Sequence, residues 1–409
     1  MGMEVISFLV RKKINRYPDF NFEDLRLVKF RKSECNTEKI RINLILPMIN
    51  RKQVYGGIST ALNFFYAVSK AYKAEMRIIV IDTELDAQTK KDYPKWNIHD
   101  AIKDVESRDE ISLCSISSRE RLNKTIAVRK NDYFIATSWK TKYVFEDIRK
   151  FQWDTFGIDR AIVYLIQDYE PGFYAWSSDF CLAESTYKGE GIIAVFNSLN
   201  LKEYFNKMNY SFYKEYYFDP VLNASMANIL TKTKTQNRKM RILFYGRPFE
   251  QRNCFSLGVE AIRTFIKKYN PNREWEFISI GAWHKDIKLE DGFVLHSKGK
   301  MSLEEYAELL LTSRVGISLM CSPHPSYPPL EMATFGLKTV TNSYVCKNLE
   351  EFSSNILSVD RLNIEELADA ISRAVKLSEI ETHMEKNEEY ITGKGQFDQV
   401  TNLLCANWN

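Results

Sequence analysis

Two arginines stand five positions apart in a loop that the sequence places between a buried strand and a helix. The strand Arg241–Tyr245 runs into Gly246, and Arg247 and Arg252 follow before an amphipathic helix predicted over Cys254–Lys268. Glycine lets the backbone turn tightly and approach a ligand, and a helix N-terminus presents unpaired N–H groups to anions. Guanidinium groups match phosphate oxygens. The segment therefore predicts a pyrophosphate site, and two surface arginines on a connecting loop are the alternative.

A second segment, residues 322–336, reads SPHPSYPPLEMATFG and places a carboxylate near the start of a helix predicted over Pro329–Phe335. That carboxylate, Glu331, is a candidate nucleotide ligand. A carboxylate in the first turn of a helix is also stabilised by the helix dipole, so structure alone could account for it. Backbone N–H groups around Ser326 and Tyr327 are candidates for contacts with a phosphate or a sugar.

Both segments resemble motifs of the large retaining family of GT-B glycosyltransferases known as family four. Arg247 falls on the arginine of the first motif and Arg252 on its lysine, while Asn253 replaces a glycine. Glu331 matches the second of two glutamates eight positions apart, which in the family accepts hydrogen bonds from the nucleotide ribose. Pro323 stands where the first glutamate would be, and in the family that residue meets the donor sugar. The resemblance therefore implies a nucleotide-sugar donor that is recognised differently at the sugar.

Two further donor-binding predictions complete the expected binding mode. Gly56 and Gly57 follow the first predicted strand and match the family's glycine pair, which lies near the donor phosphate and the acceptor. The nucleotide base is expected to lie against the loop formed by Gly299, Lys300 and Met301.

The acceptor is expected to bind at the end of another strand in the first half. Asp168 and Glu170 are candidates for binding acceptor hydroxyls or for assisting proton removal, and a plain strand-end turn is the alternative. Relatives often have a histidine where this chain has Gln167 and Asp168. Neighbouring aromatic rings could stack on sugar faces or form a local core: Tyr169, Phe173, Tyr174 and Trp176.

Residues 167–187, QDYEPGFYAWSSDFCLAESTY, are most similar to bacterial rhamnosyltransferases of the WsaF type, which build cell-surface rhamnan glycans. The resemblance extends over nearly the whole chain and is weaker in the first forty residues. It implies dTDP-L-rhamnose as the donor, a retaining outcome, and a lipid-linked or oligosaccharide acceptor.

The pattern of alternating strands and helices predicts an α/β protein with two facing Rossmann-like, doubly wound domains, the GT-B architecture. The two domains are predicted over residues 41–235 and 236–380, with a linker near Asn223–Lys239. A basic N-terminal extension, residues 1–40, precedes them. Residues 381–409 are expected to form helices that return toward the first domain.

The composition indicates a folded globular protein, because 44% of the residues are hydrophobic and 27% are charged. No apolar run approaches the roughly 18 residues of a membrane helix, and no secretory signal is apparent, so we expect a cytoplasmic protein. Nucleic acid is not an expected partner. The cysteines are widely spaced without a C-x-x-C motif and are expected to be reduced core or incidental thiols rather than a disulfide framework or a zinc site: Cys35, Cys114, Cys181, Cys254, Cys321, Cys346 and Cys405.

The net charge of +4 arises in residues 1–41, which contain ten basic and six acidic residues. Together with apolar residues such as Phe8, Leu9 and Phe30, this segment could contact the inner face of the plasma membrane. A solvated amphipathic helix packed on the body of the protein is the alternative.

These observations predict a metal-independent hexosyltransferase that needs no cofactor. Arg247 and Arg252 would neutralise the leaving diphosphate, and Asp168 would assist the acceptor. Three alternatives remain at this point: a metal-dependent transferase using Asp82-Thr83-Glu84, a sugar-nucleotide epimerase, and a nucleotide-sugar-binding protein or degenerate transferase without activity.

Overall fold

The computed structural model describes residues 30–49, 56–101, 111–116, 122–232, 237–380, 384 and 387–408. In this described part of the chain, no helix is both long and apolar enough to cross a membrane. The predicted membrane contact falls largely on residues 1–29, which lie outside the described residues.

The first half of the chain forms parallel sheets. Its described strands are β1 (Arg31–Cys35), β2 (Arg41–Leu46), β3 (Glu75–Val80), β4 (Asn97–Asp100), β5 (Ile111–Ser115), β6 (Thr125–Arg129), β7 (Asp132–Ala136), β8 (Ile162–Ile166), β9 (Ile192–Phe196) and β10 (Lys214–Tyr217). Eight of them pair in the order β10-β9-β8-β7-β2-β3-β5-β4, and β1 pairs with β6. Six of these strands, β5-β3-β2-β7-β8-β9, are neighbours in the sheet. When these six are renumbered by their order in the chain, they have the order 3-2-1-4-5-6 of a doubly wound nucleotide-binding fold.

The second half repeats this plan. Its described strands are β11 (Lys239–Gly246), β12 (Glu276–Gly281), β13 (Ile287–Lys288), β14 (Val294–Gly299), β15 (Ser313–Ile317), β16 (Lys338–Asn342) and β17 (Ile356–Val359). They pair in the order β13-β14-β12-β11-β15-β16-β17, and only the β13–β14 pair is antiparallel among these described strands. Here too the order reverses beside the first strand, between β11 and β15. In such sheets, ligands bind at this switch point, outside the carboxyl ends of the strands.

Helices cover both faces of each sheet. The described α-helices are α1 (Gly57–Tyr72), α2 (Ala87–Asp92), α3 (Trp139–Phe156), α4 (Ser178–Ser185), α5 (Leu199–Lys207), α6 (Ala224–Lys232), α7 (Phe255–Tyr269), α8 (Leu303–Thr312), α9 (Tyr327–Thr334), α10 (Ile364–Ile380), α11 (Glu388–Thr392) and α12 (Asp398–Asn407). Burial on both faces explains why the central strands are almost continuously apolar. In β2, for example, Ile42 and Leu44 face one core while Ile45 faces the other.

The segment predicted as a linker, Asn223–Lys239, is not extended throughout. Residues 224–232 form helix α6, whose Met226 and Leu230 are buried in the core of the second half. The prediction was wrong for residues 224–232, because their polar side chains occupy the exposed face of an amphipathic helix. The exact boundary near residue 235 stays a prediction, since residues 233–236 lie outside the described part.

The last part of the predicted N-terminal extension belongs to the first half. Arg31–Cys35 form strand β1, which pairs in parallel with β6, so these residues are not part of a helix. Phe30, predicted as part of the membrane-contacting patch, is instead 5% exposed and packed in the core.

The C-terminal helix α12 packs on helix α1 of the first half. Leu404 and Trp408 are buried there, and the carbonyl of Leu404 accepts a hydrogen bond from the Tyr72 hydroxyl at 2.8 Å. The indole of Trp408 donates to the carbonyl of Ala161 at 3.0 Å. The chain therefore leaves the second half and ends on the first.

A buried carboxylate anchors the strands that begin the first sheet. Asp132 at the start of β7 accepts hydrogen bonds from Arg41 at 2.7 and 2.8 Å and from the amide of Asn43 at 3.0 Å, and Arg77 lies 3.5 Å away. Asp132, Arg41 and Arg77 are fully buried. Burial alone would raise the pKa of Asp132, but the two guanidinium groups lower it from 3.8 to about 2.

We expect the substitution Asp132→Asn to lower the free energy of unfolding by about 3–5 kcal/mol, because it leaves buried guanidinium charge without its counterion. Since the folded pKa is lowered, this stabilisation is present above pH ~4 and is lost as the pH falls toward about 2. Urea unfolding across this range measures both effects. Asp154→Asn, which removes an exposed pair with Lys150, is the control and should cost less than about 1 kcal/mol. A similarly small loss for Asp132→Asn would contradict this account.

Candidate functional site

The loop after β11 takes the predicted strand–turn–helix form at the switch point of the second sheet. A Cβ atom on Gly246 would lie 2.6 Å from the Ser279 hydroxyl and 2.7 Å from the ring of Phe255. The glycine is therefore required by the close packing of β12 and α7 against the turn. A short 3-10 helix, Gln251–Asn253, closes the loop before α7 begins.

The two predicted phosphate-binding arginines have different environments. The side chain of Arg247 is 40% exposed and lies 3.3 Å from Glu250, a half-exposed pair that is weak in water. Arg252 is 22% exposed, and its guanidinium lies 4.0 Å from the centre of the Phe173 ring. Arg247 is thus accessible to a ligand, whereas Arg252 is held between the two halves.

Asp168, predicted as an acceptor or catalytic residue, joins the halves. Its carboxylate accepts a hydrogen bond from Arg252 at 2.5 Å and another from the hydroxyl of Ser322. The backbone N–H of Tyr169 donates to the same carboxylate at 2.8 Å. The loop after β8 is therefore fastened to both loops that flank the switch point of the second sheet.

Glu331 lies in helix α9, where the residue is partly exposed, close to the hydroxyl of Tyr306. It is the fifth residue of the helix and lies beyond the first turn, because the helix begins at Tyr327 and not at the predicted Pro329. The helix dipole therefore does not account for this carboxylate. Burial raises its pKa to about 7, and the Tyr306 hydroxyl opposes that rise. A carboxylate whose pKa is raised this far is a candidate ligand-binding group.

The start of helix α9 is strained and touches the first half. Ser326 has φ = 66°, a left-handed backbone that a serine rarely adopts. The hydroxyl of Tyr327 lies 3.1 Å from the hydroxyl of Thr60 in the first turn of α1. Strain of this kind persists where the surroundings impose it and often marks a functional site.

Sequence reasoning missed His324, which lies in the same loop. The backbone N–H of Ser326 donates to Nδ1 of His324 at 2.9 Å, so the neutral ring carries its proton on Nε2. Burial lowers the pKa of His324 to about 4, Asp168 opposes this, and Lys347 and Arg252 reinforce it. The Nε2 atom is buried and has no hydrogen-bond partner among the described residues. Its position directly after Pro323 was the signal that could have identified it.

The glycine pair lies beside a predicted acceptor residue. Gly56 has φ = 58° and precedes helix α1, a backbone conformation that favours glycine. A Cβ atom on Gly57 would lie 3.3 Å from Oε1 of Gln167. This oxygen is buried and has no partner among the described residues. Gly57, predicted to bind the donor, and Gln167, predicted to bind the acceptor, therefore lie next to each other in the first half.

Glu170 is directed into the first half. Its carboxylate accepts hydrogen bonds from the N–H of Trp139 at 2.5 Å and from the hydroxyl of Tyr164 at 3.2 Å. Burial raises its pKa to about 7. These contacts place the carboxylate at the N-terminus of α3.

Tyr169 lines a pocket of about 1040 Å³ beside α4. Its hydroxyl lies 3.1 Å from that of Tyr210. At the rim, Trp176 is 93% exposed and stacks on Phe180 with a centroid distance of 5.5 Å and an interplanar angle of 11°. Polar side chains complete the lining, among them Ser177, Glu184, Lys188 and Asn209.

The predicted base-binding loop follows strand β14. Gly299 has φ = 65°, and a Cβ atom there would lie 3.3 Å from Cβ of Trp283. Lys300 follows, and Met301 packs against the core under α9. Trp283 is 69% exposed and was missed by sequence reasoning. Its indole is a candidate surface for stacking a nucleotide base.

No group of three or more His, Cys, Asp or Glu side chains in the described part of the chain is placed to hold a metal ion.

Comparison with known proteins identifies the family. Residues 41–199 match the family model described as WsaF, N-terminal domain, and residues 240–372 match WsaF, C-terminal domain. The O-antigen biosynthesis protein RfbC of Myxococcus xanthus is 32% identical over 180 residues. That match takes in 44% of this chain but only 14% of RfbC.

Solved structures share the fold at low sequence identity. The sucrose-phosphate synthase of Thermosynechococcus elongatus has a TM-score of 0.56 and 11% identity, covering 90% of this chain and 98% of that protein. HepE of Anabaena, in complex with UDP and glucose, has a TM-score of 0.53 and 10% identity, covering 89% of this chain and 95% of that protein. With the two family models matching most of the chain, the protein belongs to the WsaF family and has the GT-B glycosyltransferase fold.

Proposed function

We propose that this protein is a glycosyltransferase that moves a sugar from a nucleotide diphosphate to a glycan acceptor. The observation that carries this proposal is the switch point of the second sheet, which brings together accessible Arg247, the strained start of α9 and Glu331. Arg252 and Ser322 join the loops of this switch point to Asp168 of the first half. Two relatives support the proposal. HepE has this fold in complex with UDP and glucose, and RfbC is an O-antigen biosynthesis protein.

In the proposed binding mode, the donor lies mainly on the second half. The base packs against Gly299–Met301 beside Trp283, the 3′-hydroxyl of the nucleoside sugar hydrogen-bonds to Glu331, and the diphosphate contacts Arg247. The exposure of Arg247 and Trp283 supports this arrangement, because both can receive a ligand without a change of fold.

Breaking the bond between the sugar and the diphosphate leaves negative charge on the departing group. Fixed positive groups aimed at that charge lower the barrier. Arg247 supplies one, and Arg252 supplies a second where the Asp168 contact is exchanged for phosphate. We propose that these guanidinium groups act without a metal ion. The acceptor hydroxyl attacks the same face of the sugar, giving the retaining outcome.

We propose that His324 recognises the donor sugar in place of the glutamate that Pro323 replaces. Its Nε2–H is a buried hydrogen-bond donor without a partner among the described residues, and leaving such a group unsatisfied costs about 1–3 kcal/mol. A sugar or phosphate oxygen would satisfy it. The neutral ring at ordinary pH suits this role, because it keeps the donor orientation fixed by Ser326.

The donor sugar proposed is L-rhamnose from dTDP-L-rhamnose, and the acceptor proposed is a growing rhamnan, lipid-linked or as an oligosaccharide. Membership of the WsaF family supports this choice. The pocket beside Tyr169 supports a glycan acceptor, since a flat Trp176–Phe180 surface with polar neighbours can stack on one sugar face and hydrogen-bond its hydroxyls.

Pro323 also favours a second function, that of a nucleotide-sugar-binding protein without turnover, because the family's glutamate at the donor sugar is missing. Release of nucleotide diphosphate on addition of an acceptor distinguishes the two. Binding without release would support the second function.

Calorimetric titration with dTDP, UDP and GDP in a buffer containing EDTA tests the donor. Burying the thymine methyl group contributes about 0.8 kcal/mol, so dTDP should bind roughly fourfold more tightly than UDP. Tighter binding of UDP or GDP would contradict the rhamnose donor. Loss of all binding in EDTA would contradict a metal-free site.

The substitution Arg247→Ala should lower kcat by about 100-fold or more, because it removes a positive group that stabilises the departing diphosphate. Steady-state assays of diphosphate release measure this. Arg263→Ala is the matched control, since Arg263 is similarly exposed, at 34%, and pairs with Glu260 on the outside of α7. Turnover of Arg247→Ala within a few-fold of the wild type would count against the phosphate assignment.

The substitution Trp176→Ala should raise the acceptor KM by about 3- to 10-fold, which corresponds to the ~0.5–1.5 kcal/mol of one aromatic stacking contact. The affinity for dTDP should not change. Trp153→Ala removes another exposed indole, 57% accessible, and serves as the control. An unchanged acceptor KM would place the acceptor elsewhere.

A further inference from the structure

Two cysteines that are 67 positions apart in the chain meet beside the candidate site. Sγ of Cys254 lies 3.3 Å from Sγ of Cys321. Cys254 precedes helix α7, and Cys321 lies in the loop after β15. The backbone N–H of Cys321 also donates to the carbonyl of Arg252 at 2.8 Å. Both thiols are free, as expected, but their contact was not predicted. Separation along the chain does not show that both loops leave neighbouring strands at the same edge of the sheet.

The contact between the two sulfur atoms lets one thiol donate a hydrogen bond to the other, and a buried ammonium lies nearby. A hydrogen bond from Cys254 lowers the pKa of Cys321 to about 6, burial opposes this, and the ammonium of Lys347 assists. The same contact raises the pKa of Cys254 far above its ordinary value. Lys347 is itself buried and donates to the carbonyl of Met320 at 2.8 Å, which fixes its charge near the pair.

The two cysteine residues differ in their exposure to solvent. Cys321 is exposed, whereas Cys254 is partly buried. A reactive, accessible thiolate with a second thiol in contact is the arrangement of a redox-sensitive cysteine and its resolving partner.

We propose that Cys254 and Cys321 form a reversible disulfide when a peroxide reaches the cleft. The Cys321 thiolate attacks one peroxide oxygen, the O–O bond breaks, and the leaving oxygen departs as water after taking up a proton. This gives a sulfenic acid on Cys321. The Cys254 sulfur then attacks the Cys321 sulfur, the S–O bond breaks, and a second water leaves. The two thiols lose two electrons and two hydrogens, and an external dithiol restores them.

A disulfide between Cys254 and Cys321 would shift neighbouring residues of the candidate site. Sulfur atoms in a disulfide are about 2.05 Å apart, so the present 3.3 Å separation must shorten by roughly 1 Å. Arg252 lies two residues before Cys254, and Ser322 directly follows Cys321. Both side chains hold Asp168. Oxidation therefore shifts two of the groups that join the halves of the molecule.

Mass spectrometry of the full chain before and after treatment with hydrogen peroxide tests the proposal. The predicted product has lost the mass of two hydrogen atoms and yields one cross-linked peptide pair containing Cys254 and Cys321. Dithiothreitol should restore the original mass. Cys405→Ser, which removes an exposed thiol on α12, should react like the wild type. Cys254→Ser should carry a sulfenic or sulfinic acid on Cys321 without a cross-link.

Both residues remaining thiols under peroxide, or over-oxidation of Cys321 in the wild type without cross-linking, would overturn the proposal. This readout does not depend on the proposed enzymatic activity. In a second measurement, the oxidised wild type should show kcat reduced by roughly 100-fold, on the scale of a 1 Å misplacement at a reacting centre. Unchanged kcat in fully cross-linked protein would overturn the regulatory consequence of the bond.

Discussion

The carboxylate of Asp168 determines how the two halves of this protein meet. It receives Arg252 from the loop after β11 and Ser322 from the loop after β15, so one side chain fastens both flanks of the second sheet's switch point to the first half. The contact is mostly shielded from water, with side-chain exposures of 22% for Arg252 and 16% for Asp168. Breaking an ion pair in such a setting by removing one partner is costly. The proposed function has a diphosphate take the place of the carboxylate at Arg252.

The same constraint accounts for the unusual features that surround it. His324 is held neutral, Ser326 is held at φ = 66°, and Lys347 is buried with a pKa lowered to about 8 by its burial. Each of these arrangements costs stability. Their concentration around one junction is expected at a site where geometry is imposed by the surrounding fold. In the buried network around Asp132, by contrast, the charged side chains bind one another and hold strands of a single sheet together.

Much of the fold followed from the sequence, because strand periodicity and turn residues act locally. The strands Arg41–Leu46 and Ile162–Ile166 have the predicted bounds. The linker prediction failed at helix α6, because composition cannot show that Met226 and Leu230 reach the second core. The N-terminal prediction failed at Arg31–Cys35, because parallel pairing with β6 is a long-range contact.

The candidate site was predictable only in part. Motif resemblance pointed to the loops that hold Arg247, Arg252 and Glu331, and the end of a predicted strand pointed to Asp168. It did not reveal that Arg252 and Asp168 bind each other, since contacts between the two halves leave no spacing pattern. His324 and the Cys254–Cys321 pair were missed for the same reason. Their significance lies in burial and in neighbours that are distant along the chain.

A crystal structure of the protein with bound dTDP tests the central claim most directly. The account predicts the diphosphate at the switch point between β11 and β15, within hydrogen-bond distance of the Arg247 guanidinium, with the sugar ring of the nucleoside at Glu331. A nucleotide bound away from both residues, for example against the first sheet alone, would contradict it.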